Sequence, residues 1–276
     1  MTDHLIEHFA DGIATFTMNR PDVRNVFSTE MLTALLAGLQ RHATRKETRA
    51  VILTGAEGAF SAGGDVKGFA QNATGGPDAG KELGGGDIRD SFDQQLHSLR
   101  AANEISVLLH EMPKPTLAAI PGAAAGAGLS LALACDIRVA TTDAKITTAF
   151  SKVGLSGDFG GSFFLTHLVG AAKARELYFS AELLSGTQAA ALGIVNIAVG
   201  TADFEATVAA YAAKLANLPT VAVGYMKQNL NTALRGSLTD VLNSEAIRMI
   251  RTFETDDHKA AAVAFVEKRL PDFVGR

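Results

Sequence analysis

The chain has 276 residues, 47% hydrophobic and 20% charged, which gives it the apolar volume for one large core or two unequal ones and excludes a disordered protein. Its formal net charge of −4 offers no general attraction to nucleic acid or anionic lipid, so an anionic ligand has to be met by local positive groups in a specific pocket. No stretch approaches the roughly 20 apolar residues of a membrane span, and residues 1–10 lack the basic start and apolar run of a signal peptide, so the expectation is a soluble cytoplasmic protein that binds neither membrane nor nucleic acid.

Leu5–Ala10 and Ile13–Met18 are β-type runs around Asp11-Gly12, a pair that accepts positive φ, and they predict an opening hairpin. Ser28 can cap a helix running to about His42, because Met31, Leu32, Leu35, Leu36 and Leu39 recur on one helical face. Ala50–Leu53 reads as a buried strand. Six glycines and Pro77 between Asn72 and Gly86 give too much backbone freedom for a regular element and predict a mobile loop. Helical spacing from about Ile88 to Glu111 stops at Pro113-Lys114-Pro115, and Thr116–Ile120 is a second buried strand.

Gly126–Ala134 predicts a helix packed closely enough to want small residues, followed by Cys135, the only cysteine, which its apolar setting marks as packing. Ile137–Ala140 is a third buried strand. "FSKVGLSGDFGG", Phe150–Gly161, then sets one acid, Asp158, among glycines, serines and apolar residues. If buried there, its pKa would rise and it could carry a proton; the alternative is that it caps the next helix. Ser185-Gly186-Thr187-Gln188 fits a capping box for a short helix ending at Gly193, and Ile194–Val199 another strand. From Thr201 on, the chain reads as helical, with breaks at Pro219 and Gly236. Alternating strands and helices imply an α/β core over residues 1–200 with parallel pairing, and a helical segment over residues 201–276.

Two turns rich in small residues carry the chemistry: Phe60-Ser61-Ala62-Gly63-Gly64-Asp65 and Gly122-Ala123-Ala124-Ala125-Gly126-Ala127-Gly128. They let backbone N–H groups approach a ligand, and two such donors on one oxygen form an oxyanion hole. Each turn alone could equally serve tight helix–strand packing. A dinucleotide site is a poor fit, since Leu131 stands where the third glycine of that fingerprint belongs.

"AFSAGGDVKGF" (Ala59–Phe69) and "IPGAAAGAGLSLALACDIRVA" (Ile120–Ala140), with "NRPDVRNVFS", "LLSGTQAAALGIVN" and "AFVEKRLPDF" in order, resemble segments of the crotonase, or enoyl-CoA hydratase/isomerase, superfamily. The resemblance covers nearly the whole chain. It implies a spiral of ββα units with a helical C-terminal trimerisation region, and trimers or hexamers. It also implies an acyl-CoA substrate, with coenzyme A as part of the substrate and no separate cofactor or metal. Carried over by position, the thioester oxygen meets the N–H groups of Gly64 and Ala127, the adenine meets the backbone of Ala62, and Lys67 and a neighbouring subunit's Lys268 lie near the CoA phosphates.

The family's hydratases use two glutamates, and here those positions hold Ser130 and Phe150. Some relatives carry a working aspartate where this chain has Asp158. One base suffices for a 1,3-proton shift, so the sequence favours double-bond isomerisation by Asp158. Three alternatives stay open: hydration in the broad sense, a non-catalytic acyl-CoA binder, and nucleophilic attack by Asp158 on an aromatic acyl group. The last needs an aromatic pocket, for which Phe150, Phe159, Phe163 and Phe164 are candidates, and a water-activating base such as His97.

Overall fold

A computed structural model describes residues 3–66, 68 and 92–276. The opening hairpin forms as expected from β1 (Leu5–Ala10) and β2 (Ile13–Met18), paired antiparallel around Asp11-Gly12. Ser28 caps α1 (Thr29–Thr44) by accepting a hydrogen bond from Met31 N, and the helix buries Met31, Leu32, Leu35 and Leu39. Parallel strands β3 (Ala50–Gly55), β5 (Thr116–Ile120), β7 (Ile137–Thr141) and β9 (Ile197–Val199) complete a six-stranded sheet in the order β1-β2-β3-β5-β7-β9.

The sequence reading had no counterpart for a second sheet. β4 (Ala59–Ser61), β6 (Ala123–Ala125) and β8 (Ile146–Thr147) form a three-stranded parallel sheet, so part of each small-residue turn is strand. Strand β9 is also shorter than expected. The N–H groups of Ile194 and Val195 both donate to Ala189 O, closing the turn after α5 (Gly186–Ala191) before the sheet begins. The capping box of α5 forms, with Ser185 and Gln188 bonded reciprocally.

Helices α1, α2 (Phe92–Glu111), α3 (Ala127–Ala134) and α4 (Gly161–Ser180, interrupted at Gly170) enclose the main core with one face of the sheet. Cys135 is buried within it, and burial pushes its thiol up to about 12. The opposite sheet face packs Ile52, Leu117, Ala119 and Val139 against Phe204, Val208 and Ala212 of α6 (Phe204–Ala216). Next come α7 (Thr220–Ala233), α8 (Leu238–Phe253) and α9 (Asp256–Val266). Lys227 ties α7 to the body: its buried ammonium donates to Leu109 O at 2.7 Å and to Asp136 Oδ2 at 2.8 Å. Apolar side chains of α7–α9 face outward, among them Leu230, Leu238, Ile250 and Phe265, the last 85% exposed. Among the described residues no helix is long and apolar enough to cross a membrane.

Candidate active site

The second sheet is what brings the two turns together. β4 and β6 are adjacent parallel strands, with Ala59 opposite Ala123 and Ser61 opposite Ala124, so the chain leaving each strand emerges at the same end. Ala62-Gly63-Gly64 follows one strand and Gly126-Ala127 the other. Gly63 has φ +84°, and a Cβ there would lie 2.7 Å from Ala125 O and 3.0 Å from Ala127 N. Only glycine allows that approach. Ala127 is the first residue of α3, whose cap Gly126 (φ +53°) supplies no side chain, so the Ala127 N–H belongs to the unpaired first turn. Among the described residues neither Gly64 N nor Ala127 N is engaged in a hydrogen bond.

The segment before α1 clamps the first turn. Ala62 N donates to Arg24 O and Phe27 N donates to Gly63 O, each at 2.9 Å. Ser61 Oγ donates to Asn25 O, and the buried Asn25 amide donates to Ala56 O and Ala59 O. Asp22, Arg24, Val26, Ala62, Gly64 and Val66 line a cavity of about 400 Å³ beside this turn.

Asp158 sits in a loop bent by Gly157 (φ +104°), Phe159 (φ +49°) and Gly160 (φ +74°). Positive φ is unfavourable for phenylalanine, so something must hold it. Phe159 N donates to Asn103 Oδ1 at 3.1 Å, Ser106 Oγ donates to Phe159 O at 2.8 Å, and the buried ring packs on Phe27. Asp158 is not a cap. The N-cap of α4 is Gly160 with no side-chain bond, and Asp158 serves that turn only through its backbone oxygen, which accepts from Gly161 N. Its Oδ1 is buried with no hydrogen-bond partner, and burial raises the carboxyl to about 6.

Ser130, one turn along α3 from Ala127, is buried and donates to Gly126 O at 3.3 Å. Phe150 is buried too, its ring stacked on Tyr178 with centroids 6.0 Å apart and planes 13° from parallel. The Tyr178 phenol is pushed up to about 12, first by burial and then by the Asp158 charge, and its oxygen lies with Ser130 Oγ around the place a Gly161 Cβ would take.

The four phenylalanines do not form one pocket. Phe150 stacks on Tyr178, Phe159 meets Phe27, and Phe163 and Phe164 pack edge-on against His110. His97 is exposed and lines a groove with Thr29, Leu32 and Leu36 on α1. Lys268 is exposed in the turn after α9 and takes no part in the bonds that build the two turns. Lys67 and the loop Asn72–Gly86 lie outside the described residues. Asn103, Ser106 and Tyr178 were not found from the sequence. A serine inside the buried stripe Ala102-Ile105-Leu109 of α2 is the one local signal that could have found Ser106.

The family profile for enoyl-CoA hydratase/isomerase matches residues 8–276. A 1,2-epoxyphenylacetyl-CoA isomerase of Escherichia coli K12 is 34% identical over 278 residues, covering 100% of both chains. A short-chain-enoyl-CoA hydratase of Clostridium acetobutylicum is 30% identical over 93% of this chain and 92% of its own. A crystal structure of an enoyl-CoA hydratase from Polaromonas sp. JS666 superposes with a TM-score of 0.87 at 29% identity, covering 98% of this chain and 99% of that one.

Proposed function

Because the chain belongs to the enoyl-CoA hydratase/isomerase family, we propose that it isomerises a double bond in an acyl-CoA thioester, with Asp158 carrying the proton and the Gly64 and Ala127 amides holding the thioester oxygen. The observation that carries this reading is the buried, unpartnered Oδ1 of Asp158 in a chain whose two hydratase glutamate positions hold Ser130 and Phe150. Neither of those can activate a water as a carboxylate does.

The ionised Asp158 takes a proton from the carbon next to the carbonyl. Charge then spreads to the thioester oxygen, where two fixed amides meet it without reorganising; losing one such donor costs about 10²–10³ in rate. The same carboxyl returns the proton to the far carbon, so no second acid is needed. A carboxyl near 6 is ionised at neutral pH and still basic enough for this work.

The CoA portion lies along the first turn, with the adenine on the Ala62 backbone and the phosphates near Lys67 and a neighbouring subunit's Lys268. Arg24, in the cavity beside Ala62, is a further positive group for it. Coenzyme A enters with the substrate, and no separate cofactor is required. The outward apolar side chains of α7–α9 support self-association, as trimers or paired trimers, in the cytoplasm. The test is solvent deuterium entering a 3-enoyl-CoA or its product. Parent protein washes label in, and Asp158→Asn lowers the rate at least 100-fold while CoA binding persists; unchanged exchange in the variant removes Asp158 from the mechanism.

A further inference from the structure

Tyr178 reaches both positions at which the family's hydratases carry a glutamate. Its ring lies against Phe150, and its hydroxyl and Ser130 Oγ flank the same space at Gly161. Two glycines make room for it: a Cβ at Gly157 would stand 3.2 Å from Tyr178 Cε1, and one at Gly161 would overlap Ser130 Oγ and stand 2.6 Å from the Tyr178 oxygen. Phe150 in turn borders the oxyanion turn, 3.8 Å from where a Cβ of Gly126 would be. The result is two hydroxyls gathered with Phe150, Gly126, Gly157 and Gly161, Ser130 standing one helical turn from Ala127.

Ser130 donates to Gly126 O, which leaves the phenolic O–H of Tyr178 available to donate elsewhere. A phenol this hard to ionise cannot take a proton from water, yet it donates a hydrogen bond at any working pH.

We propose that Tyr178, beside Ser130, is a specificity-determining residue that donates a hydrogen bond to an oxygen carried on the acyl group near the thioester, so that the substrate class is an oxygenated acyl-CoA. A hydroxyl, ether or epoxide oxygen has the acceptor required, and a plain hydrocarbon chain leaves the donor unused. This rests on the acyl-CoA reading of the site but not on the role given to Asp158.

The test uses two unreactive ligands of the same shape, pentanoyl-CoA and ethoxyacetyl-CoA, in which an ether oxygen replaces the third carbon of the chain. Calorimetry on the full chain should show the ether binding about 10-fold tighter. Tyr178→Phe keeps the stack on Phe150 and should erase that preference while changing pentanoyl-CoA affinity less than two-fold. A parent protein without the preference, or a Tyr178→Phe variant that retains it, overturns the assignment of Tyr178 alone. If neither ligand binds, the acyl-CoA reading falls and the proposal falls with it.

Discussion

In the six-stranded sheet, β3 carries Val51, Ile52 and Leu53 and β5 carries Leu117 and Ile120, all buried. The three-stranded sheet, beside its buried Phe60 and Ile146, presents Ala59, Ser61, Ala123, Ala124 and Ala125 around the two turns. One region gains stability by filling volume, at about 25 cal/mol for each Å² of apolar surface removed from water. The other leaves volume out, so that backbone can touch backbone and two amides can be aimed at one point. The two sheets should therefore fail in different ways: the large one through lost stability with its chemistry intact, the small one through lost chemistry first.

The largest effect is expected at Gly63. Gly63→Ala places a Cβ at positive φ against Ala125 O and Ala127 N and pushes the two turns apart, and deuterium exchange should fall by about 10²–10³. Next is Leu117→Ala, which opens a cavity in the large sheet and should cost about 2–5 kcal/mol in denaturant unfolding. Its exchange rate, measured well below the melting temperature, should stay within about three-fold. A Leu117→Ala protein that is stable but inactive would break the contrast.

Asn103→Ala tests the region between. It frees the backbone of Phe159, whose unfavourable φ the side-chain amide holds, and lets Asp158 wander. Exchange should drop about 10-fold, with a stability loss near 1 kcal/mol.

The smallest effect concerns charge. Asp158 has a folded pKa raised to about 6 from 3.8, so ionising it opposes folding: its favourable contribution is whole below pH 4 and is lost as pH rises through 6. Asp158→Asn cannot ionise. It should match the parent at pH 4 and be the more stable of the two at pH 8, as read from paired denaturation curves, so that the residue proposed to carry the proton is one the fold would do better without.

The large sheet was legible in the sequence because its strands are runs of buried β-branched and leucine residues bounded by Gly and Pro, and α1 because its apolar stripe follows a capping serine. The small sheet was not. Strands of two or three residues, Ala-Phe-Ser, Ala-Ala-Ala and Ile-Thr, are too short to show alternation, and the turns around them are pinned by Asn25, Ser61 and Phe27. At the site, glycine placement gave away the two turns and the isolation of Asp158. Asn103, Ser106 and Tyr178 stayed hidden because each acts across 28 to 56 residues of sequence, on a partner that only the folded chain brings near.

The most direct test of the account is the pH dependence of solvent deuterium exchange, measured alongside the ¹³C shift of the Asp158 carboxyl. Both should titrate together with a midpoint near 6, exchange rising with pH to a plateau and vanishing in Asp158→Asn. A carboxyl that titrates near 4, or an exchange rate indifferent to its ionisation, would contradict the claim that this buried acid moves the proton.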